Sequence, residues 1–281
     1  MTREEKILKN LYQELERVHS EAQRNYKEEK IKIDQEELEK RISQSEHLVD
    51  FENIEIDKRW LEELFKEYLL ALKKFGKEND MLTKKLEDSF ERKKLNLEVL
   101  IKKVFCSDLN YLRNLAQKLE VEDNDLLFLG LELGKPVFKL YAEKLKGKIE
   151  FDNWGKGYCP VCGSHPAMAY LRKDDGKRIL WCQFCGTEWS FMRIKCPFCS
   201  NEDQNSLRYF FTDEKSPYRV YLCDKCKRYV KTVDQRKIEE EKDFDLGWEN
   251  LQTFAMDLVA QKEGFLDPYS QPTGRKRRVI I

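Results

Sequence analysis

A chain of 281 residues and 33.7 kDa is long enough to bury one or two cores of its own. Its 41% hydrophobic and 12% aromatic content excludes disorder throughout, and 52 basic residues against 52 acidic ones exclude a bulk basic field that would hold nucleic acid through phosphate alone. Apolar runs such as 68–72 and 126–129 fall far short of the ~20 residues that cross a bilayer. The first thirty residues are charged and lack an apolar signal core, so a soluble, cytoplasmic chain with no membrane association is expected.

Ile7, Leu8, Leu11, Leu15 and Val18 recur at steps of three and four among charged residues, which predicts a helix over about 4–30. More helix is expected over 34–45, and Trp60, Leu61, Leu64, Phe65, Leu69 and Leu72 trace the apolar stripe of another. Further helices are expected near 80–90, 94–105, 108–119, 125–133 and 136–145, the last opening on Pro136, whose missing N–H is harmless in a first turn. No useful period-two alternation occurs before 150, so residues 1–150 read as an all-helical domain.

The composition changes at 151–157, where two glycines arrive just ahead of the first cysteine pair. Segments 167–171 and 178–181 are strand-like and flank an Asp-Gly step suited to a hairpin turn, and 207–212 with 218–222 repeat that arrangement. Cys196 lies 37 positions after Cys159 and Cys223 lies 41 after Cys182, as a tandem duplication would give. The expected fold class is therefore α+β. The helical domain would be followed by a four-cysteine module at 151–195, a second at 196–234, a C-terminal helical segment at 235–268 and a flexible tail at 269–281. In that last segment one helix is expected over 246–264, with Leu251, Phe254, Ala255, Leu258 and Val259 on its apolar face.

Eight of the nine cysteines fall into Cys-x-x-Cys pairs, separated by 19, 10 and 23 residues. In a chain without an export signal this spacing points to metal rather than to disulfides. Four thiolates complete a tetrahedral shell, so eight specify two sites. The hairpins bring consecutive pairs together, which groups Cys159, Cys162, Cys182 and Cys185 at one site and Cys196, Cys199, Cys223 and Cys226 at the other. A cross-brace of first pair with third is not forbidden by the ten-residue bridge between Cys185 and Cys196. Zinc and iron both accept such ligands, so the sequence does not choose between them. A closed sulfur shell leaves no position for water or substrate, which argues against Lewis-acid catalysis, and no catalytic residue is assigned.

Gly163 and Gly186 follow their pairs at the position where a metal knuckle turns through positive φ, whereas Ser200 and Lys227 stand there in the second module, so a looser site is expected. Trp181-Cys-Gln-Phe-Cys185 superficially resembles a dithiol redox site, but extended chain rather than a helix follows it. Cys106 reads as a core residue and His165 as a loop residue, while His19 and His47 receive no role. Residues 151–233 hold 14 basic against 9 acidic side chains. Two divalent ions on eight thiolates carry about minus four, which balances most of that excess. The stretch Arg275-Lys-Arg-Arg278 is then the remaining argument for a nucleic-acid partner.

The runs Cys159-Pro-Val-Cys-Gly-Ser-His-Pro166, Trp181-Cys-Gln-Phe-Cys-Gly-Thr-Glu-Trp189, Arg193-Ile-Lys-Cys-Pro-Phe-Cys199 and Cys223-Asp-Lys-Cys226, the last ahead of an extended 229–233, resemble the formate dehydrogenase accessory protein FdhE family. The resemblance covers about 151–264. It implies a cytoplasmic protein with an N-terminal helical domain and two rubredoxin-like modules, required for active respiratory formate dehydrogenase. It further implies action on the molybdenum- or tungsten-containing catalytic subunit before export, with iron or zinc at the four-cysteine sites. The expected function is thus a maturation factor, not an enzyme, whose partner is the formate dehydrogenase catalytic subunit. The alternatives are a rubredoxin-like electron carrier acting on that client and a zinc-ribbon nucleic-acid binder. The bridge at 186–193 carries family-specific residues but no sulfur, and alternation sets Glu188, Ser190 and Met192 against Trp189, Phe191 and Arg193. One row can pack while the other meets a partner, so Glu188 and Arg193 are the candidate partner contacts.

Overall fold

The computed structural model describes residues 3–26, 31–50, 54–75, 77–106, 108–238 and 244–268, so the expected tail at 269–281, with its basic stretch, lies outside the described residues. The chain divides into two compact units, one of residues 1–38 with 49–144 and one of residues 39–48 with 145–281.

The first unit is helical. It is built from α1 (Arg3–Asn25), the start of α2 (Gln35–Ser43), α3 (Lys58–Lys73), α4 (Lys77–Glu91), α5 (Leu97–Phe105), α6 (Leu109–Leu119) and α7 (Asp123–Leu145). Several of these helices, α3, α5 and α6 among them, start on acceptor side chains in the N-cap position. Asp57, Asn96 and Asp108 accept from the backbone N–H of Trp60, Val99 and Tyr111, each at 3.0 Å. The apolar stripe of α3 is buried as its periodicity requires, and Trp60 Nε1 donates to the Ala22 carbonyl at 2.7 Å, which ties α3 to α1. Two helices were expected between 125 and 145, yet α7 runs unbroken through Pro136. The lost backbone bond is outweighed by tertiary packing: Leu126, Leu129, Leu133 and Phe138 are fully buried, and a Cβ on Gly130 or Gly134 would collide with Val104 or Phe105 of α5. His19 is buried beside Glu16 and Glu132, each 3.4 Å from a ring nitrogen. Cys106 is half-buried at the C-cap of α5 rather than a core residue.

The second unit is a sheet covered by helices. Its strands are β1 (Met168–Leu171), β2 (Arg178–Trp181), β3 (Glu188–Phe191), β4 (Leu207–Phe210), β5 (Tyr218–Cys223) and β6 (Arg228–Asp234). Each module is an antiparallel meander of three strands. The two form one six-stranded sheet of order β3-β2-β1-β6-β5-β4, because β1 pairs parallel to β6 from Met168 opposite Lys231 to Leu171 opposite Asp234. The module copies therefore follow each other head to tail, related by a shift of three strands along the sheet.

The expected single helix over 246–264 is two, α8 (Leu246–Gln252) and α9 (Phe254–Lys262). Thr253 separates them, its hydroxyl donating to the Glu249 carbonyl at 2.7 Å. The turn at Thr253 also changes the buried face. Phe254, Leu258 and Val259 are 58%, 52% and 47% exposed, while Met256 and Ala260 pack with Val220, Leu222, Tyr229 and Phe265 over β5 and β6. Leu246 closes over Met168 and Val233 at the junction of the modules.

Residues 39–48, read as part of the helical half, belong to this second unit. Leu48 donates its backbone N–H to the Pro160 carbonyl at 2.9 Å, and Lys156 Nζ donates to the Ser45 carbonyl at 2.5 Å. Lys231 of β6 is buried under α8 and α9, where Nζ donates to Asp257 Oδ2 and to the Asn250 carbonyl at 2.6 Å each. Burial lowers the pKa of Lys231 and raises that of Asp257, so each charge is costly and depends on the other. Lys231→Met is expected to lose about 3–5 kcal/mol in urea unfolding by stranding the carboxylate, and the double change Lys231→Met with Asp257→Leu to recover most of it.

Candidate metal centres

Each Cys-x-x-Cys pair folds into the same tight knuckle. The backbone N–H of the residue after the second cysteine donates to the carbonyl of the first, from Gly163 to Cys159 and from Gly186 to Cys182 at 2.9 Å, from Ser200 to Cys196 at 3.0 Å and from Lys227 to Cys223 at 2.8 Å. The closing residue takes the left-handed conformation in all four, with φ of 71° at Gly163 and Gly186, 58° at Ser200 and 55° at Lys227. The second module thus reaches the same knuckle without glycine, and absorbs the steric cost of a Cβ there.

The sulfurs group by consecutive pairs, not as a cross-brace: Cys159, Cys162, Cys182 and Cys185 at one site, Cys196, Cys199, Cys223 and Cys226 at the other, the sulfurs of each lying within 4.8 Å of one another. In the first group Cys159 Sγ is 3.4 Å from Cys185 Sγ and Cys162 Sγ is 3.3 Å from Cys182 Sγ. In the second, Cys196 to Cys226 is 3.6 Å and Cys199 to Cys223 is 3.7 Å. A tetrahedron of bonds ~2.3 Å long has edges of about 3.8 Å, so these spacings suit a tetrathiolate shell after a small expansion.

The electrostatics fit a cation as well. Burial pushes the Cys159 and Cys182 thiols up. Burial also opposes ionisation of Cys185, but hydrogen bonds from its neighbouring sulfurs outweigh it and hold that thiol below its ordinary range. A hydrogen bond from Cys226 holds Cys196 at about 5, whereas burial pushes Cys199 up to about 11. Four sulfurs this close cannot all ionise on their own charge, and a divalent ion at their centre lets them do so. Bound there, zinc or iron would cross-link the knuckles, and iron would add one-electron chemistry.

The polar groups that support the sulfurs sit two residues after three of the pairs, at Ser164, Thr187 and Asn201, a repeat present in the sequence but not singled out there. The carbonyls of all three accept the N–H of their knuckle's first cysteine. Thr187 Oγ1 also lies 3.0 Å from Cys185 Sγ, and Asn201 Nδ2 donates to Cys223 Sγ at 3.7 Å. His47 packs on Gly163, where an added Cβ would touch its ring. The first site is buried at all four cysteines, while Cys199 is exposed and Cys226 half-buried at the second. His165 meets Phe198 of the second module's first knuckle in a T-shaped contact and is not among the residues of either sulfur group.

The comparisons with known proteins converge on one family. A family model for the FdhE central domain matches residues 158–193, which span the whole first site. The "Protein FdhE homolog" of Aquifex aeolicus is 35% identical over 149 residues, covering 52% of this chain and 51% of that protein. "Protein FdhE" of Escherichia coli O1:K1 is 34% identical over 111 residues, 38% of this chain and 34% of that one. The chain is similar to FdhE proteins over part of its length. The matched region spans about half the length of one of these FdhE relatives and a third of the other. The crystal structure of the FdhE protein from Pseudomonas aeruginosa shares the fold, with a TM-score of 0.66 at 19% identity over 91% of this chain and 85% of that one.

The FdhE central-domain segment also contains the bridge singled out in the sequence. Trp189 and Phe191 are buried, and Trp189 Nε1 donates to the Lys156 carbonyl at 2.9 Å, while Met192 and Arg193 are exposed. Glu188 is exposed and accepts from the Tyr170 hydroxyl at 2.7 Å. The alternation thus holds over 188–192, with Arg193 leaving the packed row as β3 ends. Because Ser200 and Lys227 hold a conformation that costs a Cβ-bearing residue ~1–2 kcal/mol, Ser200→Gly and Lys227→Gly are each expected to stabilise the second module by about 1 kcal/mol, read as slower metal loss to a chelator.

Proposed function

We propose that this chain is a metal-binding accessory factor for formate dehydrogenase, which captures the catalytic subunit in the cytoplasm during maturation and acts by binding rather than by catalysis. The observation that carries this reading is the coincidence of the FdhE central-domain match with a closed four-sulfur site. Among the described residues no helix is long and apolar enough to cross a membrane, which suits a factor that meets its client before export. The eight paired cysteines hold two metal ions, zinc or iron, whose first task is mechanical: each ion ties together knuckles whose strands are too short to persist alone. Glu188 and Arg193, at the surface of the bridge, contact the client.

Elemental analysis of the fully loaded chain is expected to give two metal equivalents, falling to one when Cys159 and Cys162 are both replaced by Ser. One equivalent in the unaltered chain contradicts the two-site reading. For the client, Glu188→Ala and Arg193→Ala are expected to retain metal and helix content but to lower capture of the formate dehydrogenase catalytic subunit by about fivefold or more in a quantitative pull-down. Undiminished capture by both variants places the recognition surface elsewhere, and no capture by the unaltered chain rejects the accessory role itself.

A further inference from the structure

On the sheet face opposite α8 and α9 lies a cleft of about 460 Å³, in the size range of small-molecule sites. Its lining includes six cationic side chains, Arg178, Arg193, Lys195, Arg208, Arg219 and Arg228, and no carboxylate. They come from β2, the bridge after β3, β4, β5 and β6, so both modules are needed to assemble it.

Local partners account for some of this charge. Arg208 is held bidentately by Asp224 at 2.5 and 2.9 Å, Lys195 pairs with Glu202 at 2.9 Å, and Arg228 donates to the carbonyls of Asp267 and Pro268. Arg178, Arg193 and Arg219 have no carboxylate within ion-pair distance among the described residues, although the Arg219 charge helps to hold the Asp234 carboxyl down. A divalent ion on the second sulfur group would contribute about minus two, less than these three guanidiniums carry.

Arg178 gives the clearest sign of a built site. It is 3% exposed, its Nη1 donates to the Lys195 carbonyl at 3.1 Å, its guanidinium lies over the Tyr221 ring at 4.7 Å, and its Nε has no hydrogen-bond partner among the described residues. Arg219 lies over the Tyr209 ring at 5.1 Å, and the two tyrosines face each other across β4 and β5. The aromatic rings fix the guanidinium planes, so less freedom is lost when an anion arrives. Burial of a cation with an unmet donor is costly in the free protein, and an oxyanion would relieve it.

We infer that this cleft binds the phosphate or diphosphate group of a small molecule. Guanidinium forks from several directions suit a tetrahedral oxyanion, which presents oxygens all round, better than the single planar edge of a carboxylate. The concave, two-module assembly also favours a compact polyanion over an extended acidic peptide. The cleft borders the second sulfur group, with Cys196 and Cys223 in its lining, so metal content is followed alongside binding, and its test needs no client.

The test is calorimetric titration of pyrophosphate into the metal-loaded full chain, with metal content measured before and after. Saturable binding is expected, weakened about tenfold or more by Arg193→Gln and by Arg219→Gln, and unchanged by Lys173→Gln in the β1–β2 turn, which is not part of the cleft lining. Retained metal in the two arginine variants assigns the loss to the cleft. The inference is overturned by no binding at millimolar pyrophosphate, by equal binding in all variants, by binding that tracks metal loss, or by a glutamate-rich peptide that outcompetes pyrophosphate.

Discussion

Crowding four sulfurs within 4.8 Å at the ends of strands only four to seven residues long is the constraint on which the second unit turns. Strands of that length bury too little to stand alone, and small modules of this kind depend on a staple. The knuckles supply it, but only if the repulsion among their thiolates is neutralised. Burial pushes the Cys159, Cys182 and Cys199 thiols up, while hydrogen bonds from neighbouring sulfurs hold Cys185 and Cys196 down, so the four sulfurs of a group do not ionise together unaided. A cation at the centre would remove that conflict and tie the knuckles to the strands they flank.

The two sites are not equally shielded. Segment 39–48 lies on the first knuckle through Leu48 and His47, and all four cysteines there are buried. At the second, Cys199 is exposed and the closing turns carry Ser200 and Lys227 in a conformation better suited to glycine. The looser second site expected from Ser200 and Lys227 has no counterpart in its knuckle geometry. Its backbone geometry matches that of the first; what differs is solvent access and stored strain.

What could be read in advance was local. Cysteine spacing located both sulfur groups and their pairing, the Asp-Gly step located the first hairpin, and the three-four periodicity of Trp60, Leu61, Leu64 and Phe65 located α3 and its buried face. The misses all concern choices settled by distant parts of the chain. Pro136 stays within α7 because packing against α5 outweighs one lost hydrogen bond. Phe254, Leu258 and Val259 formed a plausible apolar face only on the assumption of an unbroken helix, and the turn at Thr253 moved burial to Met256 and Ala260. The parallel pairing of β1 with β6 leaves no local mark, since its partners lie more than sixty residues apart.

That pairing changes what the duplication can do. Two meanders joined antiparallel through the same edge would present their knuckles as a symmetric pair. Joined head to tail, they place the chain after β3 of the first module against the open face of the second. Gly157 records how close this approach is, since a Cβ there would overlap the carbonyl of Pro197 in the second module's first knuckle. The same approach carries Arg178 from β2 to the Lys195 carbonyl and onto the Tyr221 ring of β5. The first module alone could not hold that guanidinium in place, because the Tyr221 ring under it belongs to the second. The cationic cleft is therefore a property of the joined sheet, and any change that weakens the β1–β6 pairing must act on the cleft even where both sulfur groups stay intact.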